Sequence, residues 1–117
     1  MSTNILTELY AVLLQRKSAD PEKSYVSSLY SKGIQAITGK IDEEAKELIE
    51  EGIKLDSSPS DQAVRLALAN ESADLLFHMC VLLAHFDIPP QEVLDVLSNR
   101  FGTSGHEEKA CRPVKKN

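Results

Sequence analysis

The stretch of sequence that decides the fold is residues 71–86, ESADLLFHMCVLLAHF. Apart from His78, residues 75–84 are apolar on every face of a helix. Such a helix is normally buried on all sides, but a chain of 117 residues can hardly surround one helix by itself. The run is also far shorter than the roughly 20 residues that a membrane span needs. The sequence therefore predicts a core helix that a partner chain, the second copy of a homodimer, covers in part.

Apolar residues recur at helical spacing along the rest of the chain. They predict five helices. The first three cover residues 5–17, residues 25–37 with Gly39 ending the helix, and residues 41–53. The fourth runs from Ser60 or Asp61 to about Phe86, and the fifth follows Pro89-Pro90 and reaches Phe101. The second and third could instead be one helix with a short break at Gly39. Because no alternating strand pattern is present, we predict an all-α fold: four to five helices in a bundle that dimerisation completes.

Length and composition indicate a single globular domain. Hydrophobic residues make up 42% of the chain and charged residues 26%, a composition that excludes a fully disordered protein. The net charge of -5 argues against a general nucleic-acid binder and against binding to anionic membranes. We expect residues 1–101 to form the all-α domain and residues 102–117 to be an irregular, partly mobile tail.

The cysteines and the first residues of the chain indicate the cellular compartment. Cys80 lies in the apolar run and Cys111 in the polar tail, so a disulfide framework is excluded and reduced thiols are expected. The first residues lack the basic and apolar regions of a signal peptide. We therefore expect a cytoplasmic protein.

Acidic residues cluster on two of the predicted helices. Glu43, Glu44 and Glu47 crowd neighbouring faces of the third helix at spacings of three and four residues. A solvated acidic face is the ordinary interpretation of such a group, since Glu is a strong helix former. Glu71 and Asp74 repeat the spacing on the fourth helix, just before its apolar half. Carboxylates there are costly unless they are paired or bind a cation.

Two interpretations of these carboxylates remain open. One is structural, with salt bridges to Lys40, Lys46 or Arg65. In the other, the two helices lie antiparallel, so that Glu44 and Glu47 face Glu71 and Asp74. Four carboxylates around one point suit Mg²⁺, with Mn²⁺ as a possible substitute, and not zinc. Because Mg²⁺ commonly completes its shell with phosphate oxygens, a phosphate-bearing substrate is implied.

The spacing of these acids resembles a known motif. Glu43-Glu44-Ala45-Lys46-Glu47 followed by Glu71-Ser72-Ala73-Asp74 is similar to the EExxE and ExxD pair of the all-α MazG-like nucleoside triphosphate pyrophosphohydrolases. Further segments resemble the phosphoribosyl-ATP pyrophosphatase family in its stand-alone form: residues 21–26, 32–33, 40–45, 71–78 and 105–110. The sequence departs from the family pattern at Asp42, where glycine is usual, and at Ala36 and Gly39, where lysines are usual.

The resemblance implies hydrolysis of phosphoribosyl-ATP to phosphoribosyl-AMP and pyrophosphate, the second step of histidine biosynthesis. It implies that Mg²⁺ is held by Glu44, Glu47, Glu71 and Asp74, and that Glu43 holds or deprotonates the attacking water. The substrate-binding candidates are Ser24, Tyr25, Lys32, Lys40 and His78.

Each substrate-binding candidate also has an ordinary structural explanation. Ser24 and Tyr25 could be a helix cap and a core aromatic, Lys32 and Lys40 could be surface lysines, and a histidine such as His78 on an apolar face is more often a core residue. The tail could be inert or could fold over the site when substrate binds.

Two rival functions also remain. The nearer rival is a house-cleaning pyrophosphohydrolase of the same superfamily that acts on other nucleoside triphosphates. The more distant one is a non-enzymatic helical interaction module, which predicts no specific binding of divalent cations.

Overall fold

The computed structural model describes residues 4–101, and the tail predicted over 102–117 lies outside them. The described residues form five helices and no strand: α1 (Ile5–Arg16), α2 (Tyr25–Lys32), α3 (Ile34–Ser57), α4 (Gln62–His85) and α5 (Pro90–Arg100). The all-α prediction is confirmed.

Local capping explains where several helices begin. The Asn4 side chain accepts a hydrogen bond from the Leu6 amide at 2.9 Å, so Asn4 is the N-cap of α1. The Asp61 carboxylate accepts from the amides of Ala63 and Val64 and caps α4, as the sequence predicts. Pro90 occupies the first turn of α5, where a missing amide hydrogen costs nothing.

The break between α2 and α3 falls at Gly33, so the prediction of a helix end at Gly39 is wrong. Gly33 has a φ of 94°, which residues with a Cβ rarely adopt. Gly39 instead lies inside α3, which runs on without interruption to Ser57. Because the apolar stripe continues through both glycines, the sequence pattern alone did not show which of them leaves the helical conformation.

α3 and α4 form an antiparallel hairpin, and this pair makes the most extensive contact between helices in the fold. Four helices contribute to the buried core, whose apolar members are Leu13, Leu29, Ile37, Cys80, Val81 and Ala84. The Tyr30 hydroxyl on α2 donates to the main-chain oxygen of Val81 at 3.0 Å. This bond ties α2 to α4, while the packing of α3 against α4 sets which acidic residues of the two helices face each other.

Lys17 ties the end of α1 to the end of α4. Its Nζ donates to the main-chain oxygen of Ala84 at 2.8 Å and to the Asp87 carboxylate at 3.0 Å. The last carbonyl groups of a helix lack partners within the helix, so a cation there is favourable. Asp87 follows in the left-handed region, with a φ of 57°.

α4 is only partly buried within one chain. Leu76 is 45% and Met79 40% exposed. They line an apolar cavity of about 300 Å³ between α1, α4 and α5, whose walls are Leu6, Leu76, Met79, Cys80, Leu83, Pro90, Val93, Leu94 and Leu97. By length and composition α4 is also apolar enough to cross a membrane, with a mean hydropathy of 1.4 over its most apolar window.

Candidate active site

Three carboxylates meet across the α3–α4 hairpin. Glu44 and Glu47 lie one turn apart on α3, and Glu71 faces them from α4. Each contributes an oxygen atom to a group whose members all lie within 4.8 Å of one another. The antiparallel arrangement predicted from the sequence thus brings these three residues together.

Two oxygen atoms of this three-carboxylate cluster are buried and have no hydrogen-bond partner: Oε2 of Glu44 and Oε2 of Glu71. Glu44 as a whole is only 7% exposed. An unpartnered buried carboxylate oxygen is costly, and in a native protein such an atom commonly marks the place of an ion or a water. Both atoms are thus positioned to accept a hydrogen bond from a water or to bind a cation.

The crowding of negative charge changes the acidity of the cluster. A hydrogen bond with Glu47, followed by desolvation and the charges of Glu47 and Glu44, raises the pKa of Glu71 to about 7. Burial, together with Glu47 and the charge of Asp74, raises the pKa of Glu44, and the charge of Lys40 partly opposes this. With a pKa of about 7, the Glu71 carboxyl group carries its proton in about half of the molecules at neutral pH when no cation is bound.

Asp74 and Glu43 lie beside the cluster rather than within it. Asp74 is one turn beyond Glu71 and exposed, yet its charge raises the pKa of Glu44. Glu43 is also exposed, and its Oε2 accepts from Lys40 Nζ at 2.9 Å.

Lys40 is the one lysine among the candidate salt-bridge partners that contacts this region within residues 4–101. Its ammonium lies 3.7 Å from Oε1 of Glu44, in addition to its bond with Glu43. Lys46 pairs instead with Asp42, at 2.9 Å. Salt bridges within the described chain therefore account for only part of the acidic charge.

His78 is buried beside the cluster, with both ring nitrogens engaged. Its Nδ1 lies 2.8 Å from the main-chain oxygen of Asp74, and its Nε2 lies 2.9 Å from the Tyr25 hydroxyl. The rings of Tyr25 and His78 meet edge to face, with centroids 5.9 Å apart. His78 is therefore not available as a metal ligand in this arrangement.

The two remaining substrate-binding candidates differ in their surroundings. Ser24 is the N-cap of α2, and its hydroxyl oxygen accepts from the Ser27 amide at 3.2 Å. Lys32, the last residue of α2, is exposed and has no ion-pair partner among residues 4–101. The structure thus places Ser24 in its capping role and leaves the Lys32 ammonium free for an anion.

The donor atoms of the cluster fit a hard divalent cation. All three are carboxylate oxygens, without a cysteine or histidine ligand in the group. Mg²⁺ and Mn²⁺ prefer such oxygen ligands, whereas zinc sites usually include nitrogen or sulfur.

A comparison with known families supports the same conclusion. Residues 6–101 match the family described as phosphoribosyl-ATP pyrophosphohydrolase. The chain belongs to this family. The family match covers all five helices except the first residue of α1, and it confirms the resemblance drawn from the acidic motif.

Curated relatives carry a consistent name. A protein of Geobacter sulfurreducens, named phosphoribosyl-ATP pyrophosphatase, is 49% identical over 109 residues, which cover 93% of this chain and 94% of the relative. A protein of Burkholderia mallei with the same name is 47% identical, over 92% of this chain and 84% of the relative. One from Magnetococcus marinus, also so named, is 48% identical over 89% of this chain but only 39% of its own length. The similarity to the first two spans nearly complete chains.

Two features of the site were not predicted from the sequence. Tyr25 and His78 are 53 residues apart, and no spacing rule connects them. The unpartnered oxygens of Glu44 and Glu71 depend on how deeply each side chain is buried. The apolar residues next to Glu71 were the one signal that pointed toward burial.

Proposed function

We propose that this protein is a cytoplasmic, Mg²⁺-dependent phosphoribosyl-ATP diphosphatase, which hydrolyses phosphoribosyl-ATP to phosphoribosyl-AMP and pyrophosphate in histidine biosynthesis. The observation that carries the proposal is the group of Glu44, Glu47 and Glu71, with its two buried unpartnered oxygens, in a chain of this family. Asp74, one turn away, would complete the set of four carboxylates when its side chain turns toward the cation.

The chain's own residues have distinct roles in this proposal. The bound ion, with Mn²⁺ as a possible substitute, would neutralise phosphate oxygens and lower the pKa of a coordinated water. Glu43 would hold or deprotonate the attacking water from the exposed side of α3. Lys40 and Lys32 would balance the remaining charge of the triphosphate. Glu71 would lose its proton as the cation binds, because ligand oxygens must be deprotonated.

We also infer that the protein is a homodimer in which a second copy covers the apolar cavity beside α4. Leu76 and Met79 leave a continuous apolar surface with the residues of α5. A two-fold axis there would place the same surface on both copies, so that each fills the other's cavity. The chain beyond residue 101 is poorly suited to cover it, since residues 106–117 include five basic residues, counting His106, and few apolar ones.

A lipid bilayer is a poorer occupant of this surface than a second copy. Glu71 and Asp74 lie near the middle of α4. Each carboxylate would then sit near the bilayer centre at a cost of about 2.5–3.5 kcal/mol by insertion scales. We therefore propose neither membrane nor nucleic acid as a partner, but a small nucleotide substrate and a second protein chain.

A substrate panel tests the function. With Mg²⁺ present, pyrophosphate release should be fastest from phosphoribosyl-ATP. Faster turnover of a deoxynucleoside triphosphate would favour the house-cleaning alternative. An absence of turnover together with no calorimetric binding of Mg²⁺ or Mn²⁺ would favour the non-enzymatic interaction module.

A further inference from the structure

The main chain at Tyr25 is held in place, although the side chain is half exposed. Tyr25 is the first residue of α2, and Ser24 caps this helix by accepting a hydrogen bond from the Ser27 amide. Ser27 is buried, and its hydroxyl donates to the main-chain oxygen of Arg16 at 2.7 Å. These bonds fix the first turn of α2 against the end of α1, yet Tyr25 remains 52% exposed.

The tip of the Tyr25 side chain is held as well, by His78. The main-chain oxygen of Asp74 can only accept a hydrogen bond, so Nδ1 of His78 carries the hydrogen that joins them at 2.8 Å. Nε2 of the neutral ring is then an acceptor, and the Tyr25 hydroxyl donates its one hydrogen to it at 2.9 Å. In this state the hydroxyl cannot donate to the phosphate oxygens of a substrate, so the contact that Tyr25 can offer is its ring.

His78 has little freedom to move. It is only 6% exposed, and the Phe77 ring packs edge to face with it at a centroid distance of 5.1 Å. The Tyr25 ring also meets His78 edge to face, with 85° between the two ring planes. Because the ring makes up most of a tyrosine side chain, the exposed surface of Tyr25 is largely aromatic. This aromatic surface is held in one orientation by a buried residue.

The Tyr25 ring lies beside the carboxylate cluster rather than within it. One imidazole ring, that of His78, separates the Tyr25 hydroxyl from the main chain of Asp74, which is one turn beyond Glu71. In a nucleotide the base is joined to the phosphates through a ribose, so the base lies to the side of a cation that holds the phosphates. Bases stack on aromatic side chains, because every base has a π-face.

We propose that the exposed ring of Tyr25 stacks against the purine base of the nucleotide substrate, and that His78 is a positioning residue that holds this ring in orientation. The inference rests on the proposed function, and it names the contact that distinguishes a nucleotide from a bare triphosphate. A ring that is already held loses less conformational freedom when the base binds. The contact therefore adds to the affinity for the substrate.

Replacing the ring tests the stacking. Tyr25→Leu should raise KM for phosphoribosyl-ATP about 10-fold, because the stacking surface is gone. The base does not react, so kcat should stay within about twofold. Tyr25→Phe keeps the ring and loses only its bond to His78, so KM should rise only about threefold. A Leu variant with the KM of the wild type, or a Phe variant as impaired as the Leu variant, would overturn the inference.

Variants of His78 test the positioning role. His78→Leu removes the acceptor and should raise KM about threefold, whereas His78→Gln retains an acceptor and should keep KM near that of the wild type. In a Tyr25→Phe background, His78→Leu should raise KM no further, because the shared bond is already gone. Effects that multiply, or equal KM values for the Gln and Leu variants, would contradict this role. Tyr30→Phe is the matched control, because its hydroxyl bonds to Val81 and its loss should leave KM unchanged.

Two binding probes separate this inference from the proposed function, because neither requires turnover. In calorimetry with Mg²⁺, Tyr25→Leu should bind ATP about 10-fold more weakly than the wild type does, but should bind inorganic triphosphate equally well. If this pattern held while the wild type released no pyrophosphate from phosphoribosyl-ATP, the proposed function would fail and the stacking would stand.

Three results of these measurements would overturn the stacking. Equal losses for both probes would show that Tyr25 acts on the phosphates. A wild type that binds neither probe would leave the ring without a base to stack on. A Leu variant that binds ATP normally but sediments as a monomer would show that the ring packs against a second copy of the chain instead.

Discussion

The carboxyl groups of Glu47 on α3 and Glu71 on α4 lie against each other across the hairpin, within 4.8 Å. Two ionised carboxylates repel at this distance, and the pKa of Glu71 is accordingly raised to about 7, first by its hydrogen bond with Glu47. A neighbouring oxygen of Glu44 is buried without a partner. The fold therefore maintains a cluster of carboxylates that is unfavourable without a counter-charge, and we propose that a bound cation supplies that charge.

Replacing Glu71 with Gln separates stability from activity. Glu71→Gln retains the shape of the side chain and removes one acid, so the protein in chelator should melt at the wild-type temperature or slightly above it. Most pyrophosphate release with Mg²⁺ should be lost, because a ligand is gone. Thermal melts and turnover can be measured on one sample.

Glu92→Gln is the control for this change, since Glu92 is an exposed residue of the first turn of α5. It should alter neither measurement. If Glu71→Gln unfolded in chelator, Glu71 would be a structural salt-bridge partner. If Glu71→Gln kept near-normal turnover, Glu71 would not be a ligand of the metal site.

The raised pKa of Glu71 also predicts how stability depends on pH without a cation. The folded state binds this proton more tightly than the unfolded state, whose Glu titrates at about 4.3. The contribution is therefore fully present below about pH 4.3 and is lost as pH rises through about 7. In chelator, the melting temperature of the wild type should fall relative to that of Glu71→Gln between these values. A difference in melting temperature between the two proteins that stays constant over this pH range would contradict the raised pKa of Glu71.

Much of this architecture follows from the sequence, because buried faces impose helical spacing on apolar residues. The apolar stripe of α1 and the apolar half of α4 could be predicted from the sequence for that reason. The break at Gly33 instead of Gly39 was not predictable from the pattern, since either glycine fits it and tertiary packing decides.

The candidate site divides in the same way. Glu44, Glu47 and Glu71 meet because two helices pack antiparallel and carry their acidic residues at facing positions. Helical spacing also places Asp74 near them, but it does not set the rotamer that leaves Asp74 exposed. The contact of Tyr25 with His78 depends on how α2 packs against the hairpin, which local sequence does not determine.

The proposed homodimer predicts how a charged side chain in the apolar cavity would affect assembly. The wild type should sediment as a dimer at micromolar concentration. Leu76→Glu should shift it to a monomer, because a carboxylate would be buried unpaired in the interface. Ser98→Glu, at an exposed position on α5, should remain dimeric. A wild-type protein that sediments as a stable monomer would refute the assembly.

Lys17 should matter for stability rather than for chemistry. Lys17→Met removes the cation that bonds to the Ala84 carbonyl and to Asp87, so the free energy of unfolding should fall by about 1–3 kcal/mol. Lys54→Met is the matched control, because Lys54 pairs with Glu51 at an exposed position where such a bond contributes about 0–1 kcal/mol. Denaturant titration measures both, and equal losses would show that the bond to the end of α4 is unimportant.

The central claim is that the cluster of Glu44, Glu47 and Glu71 binds the cation required for hydrolysis of phosphoribosyl-ATP. The most direct measurement is pyrophosphate release from phosphoribosyl-ATP by the wild type, first in chelator and then with Mg²⁺ added back, alongside Glu47→Gln. We predict no release in chelator, recovery with Mg²⁺, and little recovery in the variant. Undiminished release in chelator, or full recovery by Glu47→Gln, would contradict the claim.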